Sequence, residues 1–372
     1  MVITPDPYDT PSLLVDAAVL ERNLSRMAAH AHSNGKRLVP HAKTHRNVAL
    51  GLRQIAAGAD GLTVAKLGEA EEFARAGVNR LVVAYPLVGE HKARRAVELS
   101  RRVELIVAAD SVEGARSLAE VATAQGTELA VRLMIDSGLG REGLRPEEAV
   151  RVAREIAGFD GLHLQGIQTH EGNVYTATDE ADLRARCREV ARLMTSVAEE
   201  LRAAGIPVHD VSVGASASAR IMAEQSGITE LRPGIYAFND LGQVALGNAA
   251  LADCAARVAT TVVSSPRPGY GCIDAGSKAL GADLVPAVAH RDAFPGYGLI
   301  PELPGWIVAR LSEEHGWLRW TGAEPAPQLK IGERVHVIPN HVCMVFAALG
   351  ECHLVEADTT TWLPCMSAGT SR

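Results

Sequence analysis

The sequence predicts an α/β fold in which a (β/α)8 barrel of the TIM type is followed by a mainly antiparallel β domain. In the first 240 or so residues, short β-branched runs alternate about eight times with amphipathic stretches rich in Ala, Arg and Glu. Short apolar strands that alternate with helices indicate a parallel sheet, and eight such units indicate a closed barrel. From about residue 255 the pattern changes to strand-like runs divided by Gly and Pro turns. An open, doubly wound sheet is the competing interpretation of the first part.

Each predicted barrel strand is a short apolar run that precedes a helical pattern. These strands cover residues 12–16, 37–40, 61–64, 80–84, 103–107, 128–134, 162–167 and 209–213. The strands predicted for the β domain cover residues 258–265, 270–275, 306–312, 316–319, 334–338 and 343–349. The segment 281–304, rich in Pro and Gly, is expected to form a long loop. The predicted domains are residues 1–245 and 246–372, with the alternative that the first residues join the β domain.

Length, composition and charge exclude several classes of protein. The 372 residues are 47% hydrophobic and 22% charged, which is ordinary globular composition. With 37 basic and 44 acidic residues the net charge is −7, so nucleic acid is not expected as a partner. No signal peptide or membrane span is recognisable, and six scattered cysteines do not form a disulfide framework. We therefore predict a reduced, cytoplasmic protein.

Three titratable residues follow the second predicted barrel strand. His41, Lys43 and His45 lie within five positions of one another. Reactive residues of such barrels lie at the carboxyl ends of the strands. A lysine that is partly desolvated there can have a lowered pKa and form a Schiff base with a carbonyl compound. Position alone also allows a solvated loop lysine.

Polar residues follow two later strands as well. Arg141 belongs to the glycine-rich turn 136–143 and could bind an anion or a ring nitrogen, although such turns are common on surfaces. His170 follows the next strand and could stack on a ligand or donate a hydrogen bond. A purely structural histidine is the alternative at that position.

Small residues and hydroxyl groups close the predicted barrel. Ser216 and Ser218 lie between a late strand and a helix, and the turn with Gly234, Ile235 and Tyr236 follows. Loops after the seventh and eighth strands of such barrels bind phosphate through backbone N–H groups and helix dipoles. We predict a phosphate site here, with close packing of small residues as the alternative.

A histidine and a cysteine two positions apart lie in the predicted β domain. On an extended strand, the side chains of His341 and Cys343 would share one face and form a nitrogen–sulfur site that suits Zn²⁺. No second His/Cys pair completes a structural zinc site, so an open site finished by water and substrate is the functional interpretation. A packed cysteine beside a polar turn is the alternative.

Taken together, these motifs resemble the D-threonine aldolase/D-serine dehydratase-like family of fold-type III pyridoxal-phosphate enzymes. The resemblance rests on segments 40–45, 136–141, 232–236 and 339–343, in this order, and extends over nearly the whole chain. It implies that Lys43 binds the cofactor, with His41 and His170 as catalytic neighbours and Arg141 facing the pyridine nitrogen. It further implies phosphate contacts from Ser216, Ser218, Gly234, Ile235 and Tyr236, and a divalent metal bound by His341 and Cys343.

The resemblance implies a lyase that acts on β-hydroxy-D-amino acids such as D-serine or D-threonine. Removal of the α-proton by Lys43 and loss of the β-hydroxyl would yield a keto acid and ammonia. Retro-aldol cleavage to glycine and an aldehyde is the alternative. The His-x-Cys pair is similar to that of the dehydratase members, whereas aldolase members usually have His-x-Asp, so we favour the dehydratase reaction.

Several further expectations follow from the same resemblance. A thiolate ligand favours Zn²⁺ over Mn²⁺ or Mg²⁺. An amino-acid racemase is a more distant alternative, since it needs a second base opposite Lys43 and leaves the metal pair without a role. Relatives of this fold pair head to tail, so a homodimer is expected.

Overall fold

The computed structural model describes residues 8–286, 288–357 and 359–367. The chain forms two compact units. One contains the residues up to Leu24 together with Ile235–Cys365, and the other contains Ser25–Gly234 together with the residues from Met366. Compactness alone does not define a domain, so the predicted division between residues 245 and 246 stays a prediction.

Strands and helices alternate up to about residue 245 of the described chain, and strands predominate after it. The strands are β1 (Ser12–Asp16), β2 (Arg37–Leu38), β3 (Leu62–Val64), β4 (Arg80–Pro86), β5 (Glu104–Ala109), β6 (Leu129–Met134), β7 (Leu162–Gln168), β8 (Asp210–Val213), β9 (Glu230–Leu231), β10 (Ala256–Arg267), β11 (Tyr270–Ile273), β12 (Trp306–Leu311), β13 (Gly316–Trp320), β14 (Arg334–Val337), β15 (Glu351–Glu356) and β16 (Thr359–Pro364). The α-helices are α1 (Ala17–Ser33), α2 (Val48–Ala56), α3 (Leu67–Arg75), α4 (Glu90–Ser100), α5 (Val112–Ala124), α6 (Ala149–Ala157), α7 (Glu180–Ala203), α8 (Ala219–Ala223), α9 (Leu241–Ala245), α10 (Ser277–Leu280) and α11 (Val342–Leu349).

A parallel sheet of eight strands forms the barrel. Its order is β2-β9-β8-β7-β6-β5-β4-β3. A parallel bridge between His41, just after β2, and Thr63 in β3 joins the two ends of this order. The sheet therefore curls into the barrel that the alternation of strands and helices predicts, and the doubly wound alternative is wrong.

One of the eight predicted barrel strands belongs to the other sheet. Strand β1 pairs antiparallel with β10 and parallel with β15. The remaining barrel strand is β9, only two residues long, which pairs with β2 and β8. The central residues of β1 are buried, so its apolar run looks like a barrel strand. A two-residue strand is too short to show any periodicity.

The barrel helices bury one face each, as helix α7 illustrates. The side chain of Asp179 accepts a hydrogen bond from Asp182 N–H at 2.7 Å and caps the helix. Leu183, Cys187 and Val190, spaced three or four positions apart, are buried. This spacing matches the helical repeat, so the three side chains lie on the side that faces the core.

The second sheet has the order β12-β13-β11-β10-β1-β15-β16, and β14 also pairs with β10. The predicted strands from residue 258 to residue 338 are confirmed, whereas β15 and β16 were missed. The predicted strand 343–349 is wrong, because this stretch is helix α11. A short apolar run does not distinguish a strand from a buried helix. Gly350, with φ of 70°, ends the helix in the left-handed conformation.

The predicted loop 281–304 is confirmed for its described residues. They contain one short 3-10 helix, Val288–His290, and an isolated bridge from Leu299 to Ile338. No helix among the described residues is both long and apolar enough to cross a membrane.

A cluster of charged side chains is buried inside the barrel. Arg132 in β6 is fully buried and contacts two carboxylates, with Nη1 2.5 Å from Glu230 Oε1 and Nε 3.1 Å from Asp210 Oδ2. Arg37 Nε lies 3.6 Å from Glu230 Oε2, and Arg80 Nη2 lies 3.2 Å from the same atom. Burial opposes ionisation of Glu230, but the charge and hydrogen bonds of Arg132 outweigh it and lower the pKa of Glu230. Every charge in the cluster therefore has a partner of opposite sign.

We expect Arg132→Met to lower the free energy of unfolding by about 3–5 kcal/mol, because it leaves buried carboxylates without their main partner. Urea unfolding of the apoprotein measures this change. Arg94→Met is the control, since the side chains of the Arg94–Glu90 pair are 62% and 67% exposed and such a pair contributes about 0.5 kcal/mol or less. Equal effects of the two substitutions would contradict a stabilising role for the buried cluster.

Candidate functional site

Lys43 lies directly after barrel strand β2, in the short 3-10 helix Ala42–Thr44. The side chain of Lys43 is exposed, while Ala42 and Thr44 on either side are buried. His41 caps the helix, and its Nδ1 accepts a hydrogen bond from Lys43 N–H at 3.4 Å. The fold therefore holds an exposed lysine on a firmly packed turn at the end of a barrel strand.

Two histidines lie close enough to Lys43 for its charge to affect their titration. Burial is the main cause that lowers the pKa of His41 well below its usual value, and Lys43 and Arg232 lower it further. Burial and then Lys43 lower the pKa of His170 to about 4. Both imidazoles are therefore neutral at pH 7. The Nδ1 atom of His170 hydrogen-bonds to the Gly214 carbonyl oxygen, so Nδ1 carries the proton and Nε2 is left as an acceptor.

Arg141 lies at the exposed edge of this group. Its side chain is 51% exposed and its Nη2 contacts Glu142 Oε1 at 2.5 Å. Its charge contributes to the low pKa of His170, so the two side chains are neighbours. Asp136 Oδ1 holds the turn by accepting three backbone N–H groups, those of Gly138, Leu139 and Gly140. The contact of Arg141 with a pyridine nitrogen stays a prediction.

Arg232 is a second cation near the histidines, and its place in the site was not predicted. Its side chain is buried, with Nη2 2.6 Å from the Thr169 carbonyl oxygen and Nη1 bound to Ser212 Oγ. Burial lowers the pKa of Arg232 to about 10 against the opposing charge of Glu230, so the guanidinium is charged at pH 7. A Cβ atom on Gly214 would come within 3.1 Å of this side chain. The sequence signal is an arginine at a predicted phosphate turn.

Ser216 and Gly234 meet beside the Lys43 turn. Ser216 Oγ accepts a hydrogen bond from Gly234 N–H at 3.0 Å, and Ser216 N–H donates to Tyr175 Oη at 3.2 Å. A Cβ atom on Gly234 would lie 2.6 Å from Thr44 Oγ1 and 2.9 Å from the His41 carbonyl oxygen, so only glycine fits. Two segments predicted to bind phosphate are thus adjacent to the turn that carries Lys43.

Ser218 contacts a carboxylate, and its contact with a phosphate stays a prediction. It is buried, and its hydroxyl donates to Glu171 Oε1 at 2.5 Å. A serine has a single O–H donor, which this carboxylate already occupies. Glu171 Oε2 also accepts the Gly214 N–H at 2.9 Å. Burial raises the pKa of Glu171, whereas these two hydrogen bonds oppose the rise. Nothing in the sequence distinguishes Glu171 from an exposed loop glutamate.

Ile235 and Tyr236 belong to the other compact unit. They form the 3-10 helix Ile235–Ala237, in which Tyr236 is buried. Their contacts with a phosphate stay predictions.

His341 and Cys343 are neighbours, although not on a strand. His341 precedes helix α11 as its N-cap residue, and Cys343 lies in the first turn. Burial acts to lower the pKa of His341, but the hydrogen bond and charge of Cys343, with Asp283 and Asp240, raise it to about 10. His341 Nδ1 is 2.6 Å from Asp283 Oδ2.

The pair forms at most half of a metal coordination sphere. Across residues 8–286, 288–357 and 359–367, no group of three or more His, Cys, Asp or Glu side chains is arranged to hold a metal. An imidazole whose Nδ1 is bound by a carboxylate presents Nε2 as a ligand, which is the usual state of a metal-binding histidine. The donor set therefore fits an open metal site with two protein ligands.

Comparison with known proteins shows the family of the chain. Residues 15–241 match the family "Alanine racemase, N-terminal domain", and residues 255–355 match the family "Putative serine dehydratase domain". A D-threo-3-hydroxyaspartate dehydratase from Delftia sp. (strain HT23) is 33% identical over 95% of this chain and 96% of its own length. Its solved structure is 31% identical and aligns with a TM-score of 0.89 over 97% of this chain and 98% of its own.

A D-threonine aldolase from Arthrobacter sp. is 30% identical over 91% of this chain and 86% of its own length. Two solved mutants of D-threo-3-hydroxyaspartate dehydratase, one a histidine-to-alanine variant and one a cysteine-to-alanine variant in the metal-free form, are each 30% identical to this chain. Each alignment covers 97% of this chain. The histidine mutant is covered over 95% of its own length with a TM-score of 0.88, and the cysteine mutant over 98% with a TM-score of 0.87.

Fold and sequence together define an enzyme of the alanine racemase-like fold. The chain belongs to the alanine racemase N-terminal domain family and to the group within it that adds a serine dehydratase domain. The predicted resemblance to D-threonine aldolase and D-serine dehydratase-like enzymes is confirmed. The prediction of a pyridoxal-phosphate-dependent lyase is also confirmed, and the family contains both dehydratases and aldolases.

The residues around Lys43 fit pyridoxal phosphate. They supply an exposed lysine for its aldehyde, the Ser216 hydroxyl beside the turn for its phosphate, and a glycine where a Cβ would obstruct the turn. Gln168, at the end of β7, is buried, and among the described residues its amide oxygen and nitrogen have no hydrogen-bond partner. A buried polar group without a partner is costly, which is consistent with a ligand or water in contact with it.

We expect Ser218→Ala to lower the free energy of unfolding of the apoprotein by about 1–3 kcal/mol, because Glu171 Oε1 loses a buried donor. Urea unfolding measures it. Ser196→Ala is a matched control, since Ser196 Oγ also donates to a carboxylate, that of Glu200, but in an exposed position. A loss of pyridoxal-phosphate affinity in Ser218→Ala without any loss of stability would favour the phosphate contact instead.

Proposed function

We propose that the chain is a pyridoxal-phosphate-dependent dehydratase that eliminates the β-hydroxyl group of a β-hydroxy-D-amino acid and yields a keto acid and ammonia. The observation that supports this best is the pair His341 and Cys343, with Asp283 bound to the histidine. In the two solved mutants of D-threo-3-hydroxyaspartate dehydratase, a histidine and a cysteine two positions apart are each replaced by alanine, and the cysteine mutant is in a metal-free form. His341 and Cys343 have the same spacing.

The residues around Lys43 would have separate roles at the cofactor. Pyridoxal phosphate supplies an electron sink for the negative charge that develops at Cα. We assign to Lys43 Nζ the binding of the cofactor and the removal of the α-proton from the substrate. His170, neutral and held through Nδ1, offers Nε2 as a hydrogen-bond acceptor. Arg232 remains a buried cation beside both histidines.

The residues at the start of α11 would hold a divalent metal. Such a metal polarises the β-hydroxyl group and makes it a better leaving group. Imidazole and thiolate ligands favour Zn²⁺ over Mn²⁺ or Mg²⁺. Nδ1 of His341 is engaged by Asp283, so Nε2 would be the ligand atom. Two protein ligands leave positions for water and for the substrate.

Retro-aldol cleavage is the second candidate reaction. The similarity to a D-threonine aldolase over 91% of this chain favours it, and the same cofactor and metal residues would serve. The choice depends on which bond at Cα or Cβ breaks. A racemase stays the more distant candidate, because it leaves the metal pair without a role.

The assembly and the location of the enzyme remain proposals. We propose a homodimer in the cytoplasm, on the resemblance to head-to-tail dimers of this fold and on a composition without a disulfide framework. Light scattering coupled to size exclusion measures the mass in solution.

We expect the purified protein to absorb visible light through bound pyridoxal phosphate, and Lys43→Ala to lose this absorbance together with activity. The reason is that an alanine has no amine to hold the cofactor's aldehyde. Lys92→Ala is the control, since Lys92 lies on helix α4 away from the Lys43 turn in sequence and fold. Absorbance of Lys43→Ala equal to the wild type would contradict the assignment.

Product analysis with D-threonine separates the reactions. We expect 2-oxobutanoate and ammonia in equal amounts, measured by a coupled keto-acid assay and an ammonia assay. Glycine with acetaldehyde would identify the aldolase reaction instead, and L-allo-threonine would identify a racemase. D-serine, tested in parallel, gives pyruvate and ammonia if the dehydratase proposal holds.

A further inference from the structure

We propose that Asp283 is a positioning residue for the metal site, whose carboxylate holds the imidazole of His341 so that Nε2 points to a metal shared with Cys343. This inference rests on the proposed function, because it requires a metal at His341 and Cys343. It brings the loop 281–304 into the site, through a residue outside the His-x-Cys motif.

The contact between the two side chains fixes the state of the ring. Asp283 Oδ2 lies 2.6 Å from His341 Nδ1, the length of a strong, charge-assisted hydrogen bond. A carboxylate only accepts hydrogen bonds, so Nδ1 must carry a proton. When a metal displaces the proton from Nε2, the lone pair that binds it lies on that atom. A carboxylate behind a ligand histidine sets its tautomer and orientation and raises its basicity.

The backbone around both residues is anchored, so the contact is not that of a freely moving loop. Asn340 is buried, and its Nδ2 donates to the carbonyl oxygens of Asp283 at 3.0 Å and Gly296 at 2.8 Å. On the other side of His341, Asp240 Oδ2 accepts the Val342 N–H at 3.1 Å. The loop that carries Asp283 and the turn that carries His341 are thus bound to each other through Asn340.

The exposure of the His341–Asp283 pair indicates that its role is not to stabilise the fold. The side chains of His341 and Asp283 are 37% and 50% exposed, and ion pairs that are this open contribute little to stability. Removal of the Asp283 carboxylate therefore leaves the fold intact. Without the carboxylate the imidazole of His341 loses its fixed orientation, and the affinity for the metal decreases.

The test is the affinity of the metal-stripped protein for Zn²⁺, measured by competition with a chromogenic chelator. We expect Asp283→Ala to bind Zn²⁺ about 10- to 100-fold more weakly than the wild type, the usual effect of losing such a partner. Asp283→Asn should fall between the two, because an amide oxygen still accepts a hydrogen bond but without the charge. Asp292→Asn, an exposed aspartate in the same loop, should bind like the wild type.

Two outcomes would overturn the inference. One is an unchanged Zn²⁺ affinity in Asp283→Ala. The other is a shifted or lost sulfur-to-cobalt absorption band in Asp283→Ala at saturating Co²⁺, which would make Asp283 itself a ligand. Unchanged thermal unfolding of the metal-free variants excludes misfolding as the cause. If the wild type binds no Zn²⁺, or Cys343→Ala binds it equally well, the proposed metal site is wrong and the inference with it.

Discussion

Charges inside the barrel must be paired, and the pairing connects the core of the sheet to the candidate cofactor site. Glu230 Oε1 accepts hydrogen bonds from Arg132 Nη1 at 2.5 Å and from Ser212 Oγ at 2.7 Å. Ser212 Oγ in turn accepts from Arg232, a buried cation whose charge lowers the pKa values of His41 and His170. The electrostatics of the site therefore depend on an ion cluster within the barrel, since removal of one buried charge leaves the others uncompensated.

The loops around Lys43 are held by side chains that the chemistry does not require directly. His170 binds the Gly214 carbonyl oxygen, and the next residue, Glu171, binds the Gly214 N–H and the Ser218 hydroxyl. Two consecutive residues after β7 thus fix the loop after β8. Ser216 in the same loop accepts the Gly234 N–H, and Gly234 lies against the Lys43 turn. A site on loops becomes precise when neighbouring strands support those loops in this way.

Much of the fold was predictable because strand and helix periodicities are local properties of the chain. The errors occurred where the local pattern is short or ambiguous. Strand β1 has the apolar run of a barrel strand but pairs with β10, and β9 has only two residues. Helix α11 is apolar on most sides, so its sequence also suits a strand. Arg232 and Glu171 were overlooked as site residues because burial of a charged side chain depends on partners far away in sequence.

The sequence by itself determined the alternating barrel, the family, and the two groups of candidate residues around Lys43 and around His341 with Cys343, since these depend on local patterns and short motifs. The tertiary structure decided which strand completes the barrel, which serine hydroxyl is already occupied by a carboxylate, and which acidic residue supports His341. Those features are contacts between segments tens to hundreds of positions apart. No local pattern encodes such contacts, because they form only when the chain packs and each buried polar group has to find a partner.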